Sequence, residues 1–92
     1  MSHYPSLKAL RAFEASARTG SFAAAAVELS VSAAAVGQLV RGLEDQIGRK
    51  LFHRSHRSIT PTEAGLEVLP RLGNAFDELE AISKQITGSK TC

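Results

Sequence analysis

Residues 22–41 of the chain, FAAAAVELSVSAAAVGQLVR, hold the pattern on which the fold turns. Phe22, Ala25, Ala26 and Leu29 recur at i, i+3, i+4 and i+7, one face of a helix about two turns long. Ser21 precedes this run, and its hydroxyl can accept a hydrogen bond from an otherwise free amide of the first helical turn. Ser30-Val31 leaves room for only a tight turn before Ser32, which caps a further helix in the same way. Along that helix Val36, Leu39, Val40, Leu43 and Ile47 repeat the helical spacing, and Gly48 ends it, so these five residues are the expected buried stripe.

Working outward, Ser6 caps an earlier helix carrying Leu7, Leu10, Phe13 and Ala17 and stopped by Gly20. The face of the third helix opposite its apolar stripe carries Ala33, Ala34, Gly37, Gln38 and Arg41. A face so small in profile, with two polar groups, suits entry into a DNA major groove, where bulky side chains would hold the backbone off. Glu44 and Asp45 follow at its far end. After Gly48 the periodicity changes: Leu51–Arg54 and Ser58–Thr60 are expected as short strands around a polar turn, Ser55-His56-Arg57, that carries His56 and Arg57 outward. The fold class expected is mainly α: three helices plus a two-stranded wing, a winged helix-turn-helix, followed by a long helix. The expected division is 1–61 for the winged domain, with the helix-turn-helix at 22–41 and the wing at 51–60, then 62–88 for the long helix and 89–92 for a tail.

That long helix begins at Thr62, a cap with Glu63 in the favourable first turn. Leu69, Leu72, Phe76, Leu79, Ile82 and Ile86 alternate at spacings of three and four, a seam of heptad type. A small domain cannot cover such a seam unaided, so a second copy of the chain is the expected partner. Pro70, inside the pattern, is expected to kink the helix or perturb its second turn.

The chain's 92 residues leave room for one small core, and with 5% aromatic residues and no Trp that core must be aliphatic and Ala-rich. A net charge of +2 conceals its distribution: Arg49, Lys50, Arg54 and Arg57 fall within ten residues that contain no acid. A local basic patch on a near-neutral domain favours a nucleic-acid partner. The lone Cys92 forms no internal disulfide and gives no zinc framework, and no apolar run reaches membrane-spanning length. A cytoplasmic protein without membrane association is expected. His53-x-x-His56 has neither carboxylate nor thiol beside it, so neither a metal site nor any cofactor is expected. No nucleophile–base arrangement or Gly-rich phosphate loop is present either, which argues against an enzyme.

Taken together, Leu10-x-x-Phe13, Gly20-Ser21-Phe22, Ala25-Ala26, Leu29, Ser32, Val36, Leu43-Glu44, Ile47-Gly48, Leu51-Phe52, Arg54, Arg57 and Thr62-x-Ala64-Gly65 resemble the N-terminal domain of LysR-type transcriptional regulators. Within that family the chain looks most like the branch of the glycine-cleavage activators. The resemblance implies sequence-specific binding of double-stranded DNA by a bacterial regulator, as a homodimer joined through the linker helix on an imperfect inverted repeat. It places Ser32, Ala33, Ala34, Gly37, Gln38 and Arg41 on the DNA, with Arg57 from the wing, and the residues themselves add Ser21, His53, Arg54 and His56 as candidate DNA contacts. It also implies that a small-molecule effector acts only through a C-terminal domain absent from these residues.

Where the family usually carries Gln and Ser, this chain has Ala33 and Gly37, and Leu39 stands where a polar residue is usual. The expected result is a retained phosphate grip with looser base reading. A dimerising interaction fragment without sequence-specific binding of its own is the alternative, and Arg41, Arg54 and Arg57 are the residues that separate the two.

Overall fold

In the computed structural model, which describes residues 5–55 and 58–88, the chain runs α1 (Leu7–Thr19), α2 (Phe22–Leu29), α3 (Ala33–Ile47), β1 (Phe52–Arg54), β2 (Ile59–Pro61) and α4 (Glu63–Gly88). The serine caps form as the sequence requires: the hydroxyls of Ser6, Ser21 and Ser32 accept from the amides of Ala9, Ala24 and Ala35 at 3.0, 3.1 and 3.1 Å. Gly20 (φ 76°) and Gly48 (φ 74°) close α1 and α3 in the left-handed conformation. Ser30 does the same for α2 at φ 60°, a conformation uncommon outside glycine. With only Ser30, Val31 and Ser32 between them, α2 and α3 turn through 105°, the angle range of a helix-turn-helix.

The helices close on a core of Ala12, Phe13, Ala15, Ala25, Val36, Val40 and Leu43, to which the wing adds Leu51, Phe52 and Ile59. Alanines let the helix backbones approach, and the few large rings fill what remains: Phe52 lies 5.4 Å from Phe13 and 6.0 Å, edge-on, from Phe22. In α1 the inner face is Ala9, Ala12, Phe13 and Ser16, while Leu7 is 59% exposed. In α3 the expected stripe needs one correction. Ile47, the helix's last residue, is exposed and lines a groove with Leu10, Val68 and Leu72.

The wing is an antiparallel hairpin pairing Phe52 with Pro61, His53 with Thr60 and Arg54 with Ile59. Each strand starts one residue later than expected. Leu51 is outside the ladder because its amide donates to Glu44 instead of to Thr62 opposite, although its carbonyl still accepts from the Thr62 amide. At the neck of the turn the Ser55 amide donates to the Ser58 carbonyl at 3.0 Å, and the two hydroxyls lie 3.2 Å apart. His56 and Arg57 lie outside the described residues, as does the 89–92 tail.

Thr62 joins the wing to α4: its hydroxyl donates to the Lys50 carbonyl at 2.7 Å and accepts from the Gly65 amide at 3.2 Å. From there α4 continues as one element through Pro70 for 26 residues, a length of about 39 Å. The apolar seam divides along that length. Leu69 and Leu72, expected in a dimer seam, pack against this chain's own core. Phe76 is half-buried under the Arg11 guanidinium, 5.4 Å from the ring centroid, while Leu79 and Ile82 are exposed. No single helix among the described residues is long and apolar enough to cross a membrane.

Candidate nucleic-acid interface

The Ser32 cap fixes where α3 begins, and beyond the 105° turn one side of the helix is left exposed while Val36, Gly37 and Val40 are buried. Ser32, Ala33, Ala34, Gln38 and Arg41 are all exposed there. Ala34, Gln38 and Arg41 follow at i, i+4 and i+7, one stripe of the helix, and exposed Asp45 extends it. The stripe therefore offers one amide and one guanidinium over a low alanine surface, with a carboxylate at the end. Base edges could be read there by the amide and the guanidinium, and thymine methyls by the alanines.

Gly37 does not belong to this face. It is buried, and a Cβ built on it would point at the Phe22 ring, 3.9 Å from Cδ2 and Cε2. Its helical angle lies between the buried stripe and the exposed one, so the sequence pattern alone allowed either assignment. Replacing a polar residue here with glycine removes nothing from the outward stripe, and Leu39 is half-buried against the core, which leaves Ala33 as the departure that thins the exposed surface. Ser21 is half-buried at the start of α2, its hydroxyl occupied as a cap.

On the wing, His53 is exposed opposite Thr60. Arg54 is more constrained than expected: its side chain is 27% exposed, its Nη2 donates to Glu44 Oε1 at 3.1 Å, and its guanidinium carbon lies 5.6 Å from the Phe22 ring centroid. Glu44 itself, expected at the exposed far end of the reading face, is 4% exposed and reaches beneath the wing. Its sequence signal was partial: Glu44 follows Val40 by four residues, which puts it at the edge of the inner side of α3, and the wing amides decide the outcome.

Elsewhere the cations divide by what holds them. Arg18 reaches across from α1 to α2, donating to Glu14 at 2.9 Å and also to Glu28. Those hydrogen bonds, to Glu14 first and then Glu28, hold the guanidinium protonated well above its ordinary range, and the bond from Arg18 holds the Glu28 carboxyl below the usual carboxylate range. Arg18 is thereby committed within the domain. Arg41, Arg49 and Lys50 are exposed and carry no ion pair among the described residues.

Comparison with known proteins places this geometry. Residues 7–66 match the family described as bacterial regulatory helix-turn-helix protein, lysR family. The HTH-type transcriptional activator AmpR of Providencia stuartii is 51% identical over 83 residues, covering 90% of this chain and 28% of the relative. The chain thus spans little more than a quarter of the curated relatives it matches. Among solved structures, a hydrogen-peroxide-bound mutant of Corynebacterium glutamicum OxyR superposes with TM-score 0.87 at 33% identity, over 92% of this chain and 26% of the other. The DNA-binding domain of CbnR, solved in complex with DNA, superposes with TM-score 0.77 at 29% identity, over 97% of this chain and 98% of that one.

Proposed function

The chain belongs to the lysR family of bacterial regulatory helix-turn-helix proteins, and from that premise we propose that it binds double-stranded DNA sequence-specifically as the DNA-binding part of a transcriptional regulator. The observation that carries this is the outward stripe of α3: Ala34, Gln38 and Arg41, exposed together and low enough to sit in a major groove. Ser32 and Ala33 meet the groove at the helix N-terminus, while the wing, with His53, His56 and Arg57, lies along the neighbouring backbone or minor groove. Residues 1–61 form the reading head and 62–88 the linker helix.

Two such heads pair through α4 in this reading, and Leu79 and Ile82 supply the contact. The pair addresses an imperfect inverted repeat. Kinship with glycine-cleavage activators is part of the same proposal, as are a cytoplasmic location and control by an effector acting on the length of the relatives that this chain does not match. Relatives named as activators rather than enzymes support a regulatory role. Since Gly37 faces inward, base reading is loosened by Ala33 alone, and Gln38 and Arg41 carry most of what remains.

Selection from a randomised duplex pool at physiological salt, followed by sequencing, tests the proposal. Enrichment of an inverted repeat supports dimeric, sequence-dependent reading. Retention without a motif reduces it to phosphate binding. A chain that retains no DNA while still pairing with itself is an interaction fragment.

A further inference from the structure

The buried carboxylate of Glu44 is unused in the reading above, and its surroundings give it a task. One oxygen, Oε2, accepts from two successive wing amides, Leu51 at 2.8 Å and Phe52 at 3.2 Å. The other, Oε1, accepts from Arg54. Leu51 and Phe52 are themselves buried, so without this side chain their two amides would be left unsatisfied where no water reaches them. A carboxylate taken so far out of water is tolerable only because each oxygen has a strong donor. Arg54 in turn is held from its other side by Phe22, the first residue of α2, whose ring also meets Phe52. The last turns of α3, the start of α2 and the first wing strand therefore meet at one charged node, across a connection of only Gly48, Arg49 and Lys50 before Leu51.

We infer that Glu44 is a positioning residue for DNA binding: it fixes the angle between the recognition helix and the wing, and Arg54 completes this clamp instead of gripping a phosphate. The inference rests on the DNA-binding reading and deepens it, since helix and wing can engage adjacent grooves together only if their relative placement is set beforehand.

Salt dependence separates the two roles of Arg54. A lost phosphate contact lowers the slope of log affinity against log salt by about 0.9 on duplex DNA, whereas a lost positioning contact weakens binding and leaves the slope alone. The experiment compares the full chain with Arg54→Met, Glu44→Gln and the double variant on a short mixed-sequence duplex across a salt series. Amide exchange is followed by NMR on the same proteins without DNA. The expected result is a several-fold weakening in each single variant at unchanged slope. The double variant should be no weaker than the worse single, because each residue acts through the other. In Glu44→Gln the Leu51 and Phe52 amides should exchange faster while Val40 and Leu43 keep their protection, since a neutral acceptor holds them less strongly. A slope reduced by about 0.9 in Arg54→Met, or additive losses in the double variant, would overturn the inference. So would unchanged exchange at Leu51 and Phe52 in Glu44→Gln. If the unaltered chain showed no salt-dependent binding, the DNA-binding reading would fall, and the exchange data would still decide whether the node holds the wing.

Discussion

Gly65 offers the sharpest test of how the wing and α4 are fitted together. It lies in the first turn of α4, where alanine would ordinarily be preferred by about 1 kcal/mol. A Cβ at this position would stand 2.7 Å from the Leu51 carbonyl oxygen, 3.4 Å from Pro61 Cβ and 3.5 Å from Phe13 Cε1. Carbon–oxygen contacts settle no closer than about 3.3 Å, so about 0.6 Å must be found. The oxygen cannot simply withdraw, because it accepts from the Thr62 amide at 2.9 Å and its residue is tied to Glu44. Overpacking of this kind costs about 1–3 kcal/mol, which outweighs the helix preference and leaves Gly65→Ala less stable by about 1–2 kcal/mol in the worse-fitted half of that range. For a domain of this size that is a fall of about 5–15 °C in Tm. Gly42→Ala is the control: nothing lies within 4 Å of its Cβ position, so the helix preference acts alone and stability rises by up to about 1 kcal/mol. Thermal and urea unfolding, run at matched protein concentration because self-association shifts Tm by mass action, give both values. A Gly65→Ala protein melting at or above the unaltered chain would refute the reasoning.

Gln38→Ala should flatten discrimination between a selected site and its point variants by about 1–3 kcal/mol at the position it reads. Arg41→Ala should flatten discrimination at a second base position by a similar amount, and the loss of its charge should also weaken binding to every duplex; filter binding of matched and altered sites over a salt series measures both. Leu79→Glu with Ile82→Glu should yield a folded monomer by sedimentation, whereas Leu72→Ala should lower unfolding stability by about 2 kcal/mol, and loss of folding in the first pair would count against a seam on the outer half of α4. Because Arg18 holds the Glu28 carboxyl below its unfolded value, that pair's contribution is present above the ordinary carboxylate range and is lost as pH falls through the lowered value. The acid limb of an unfolding profile should therefore be shallower in Arg18→Met, by under about 1 kcal/mol for so exposed a group, and the difference should shrink in high salt.

The candidate site was legible in the sequence to different depths. Gln38 and Arg41 could be placed on an exposed face because a single period of 3.6 separates them from Val36 and Val40, whereas Ser32, four residues before Val36, was legible as the cap and not by period. Gly37 and Glu44 sit at the edge of that period, and a neighbouring element decides such a position. Phe22 turns the one inward, and the wing amides turn the other. Arg54 reads in the sequence as one cation of a basic run, yet its partner is ten residues away on another element. In α4 a continuous seam reads as one surface, but Leu69 and Leu72 lie beside α1 and the core while Leu79 and Ile82 extend past them.

What the sequence determined by itself is therefore the set of elements and the ends of the helices α1 to α3. Serine caps, glycine stops and apolar periodicity act through hydrogen bonds and contacts spanning three or four residues, so the residues that specify them are neighbours in the chain. Only the tertiary structure decided which side of each helix edge is covered, which cations are free, and where the seam of α4 changes from core to surface. Those outcomes depend on groups brought together from distant positions, and a periodic pattern carries no record of what will be packed against it.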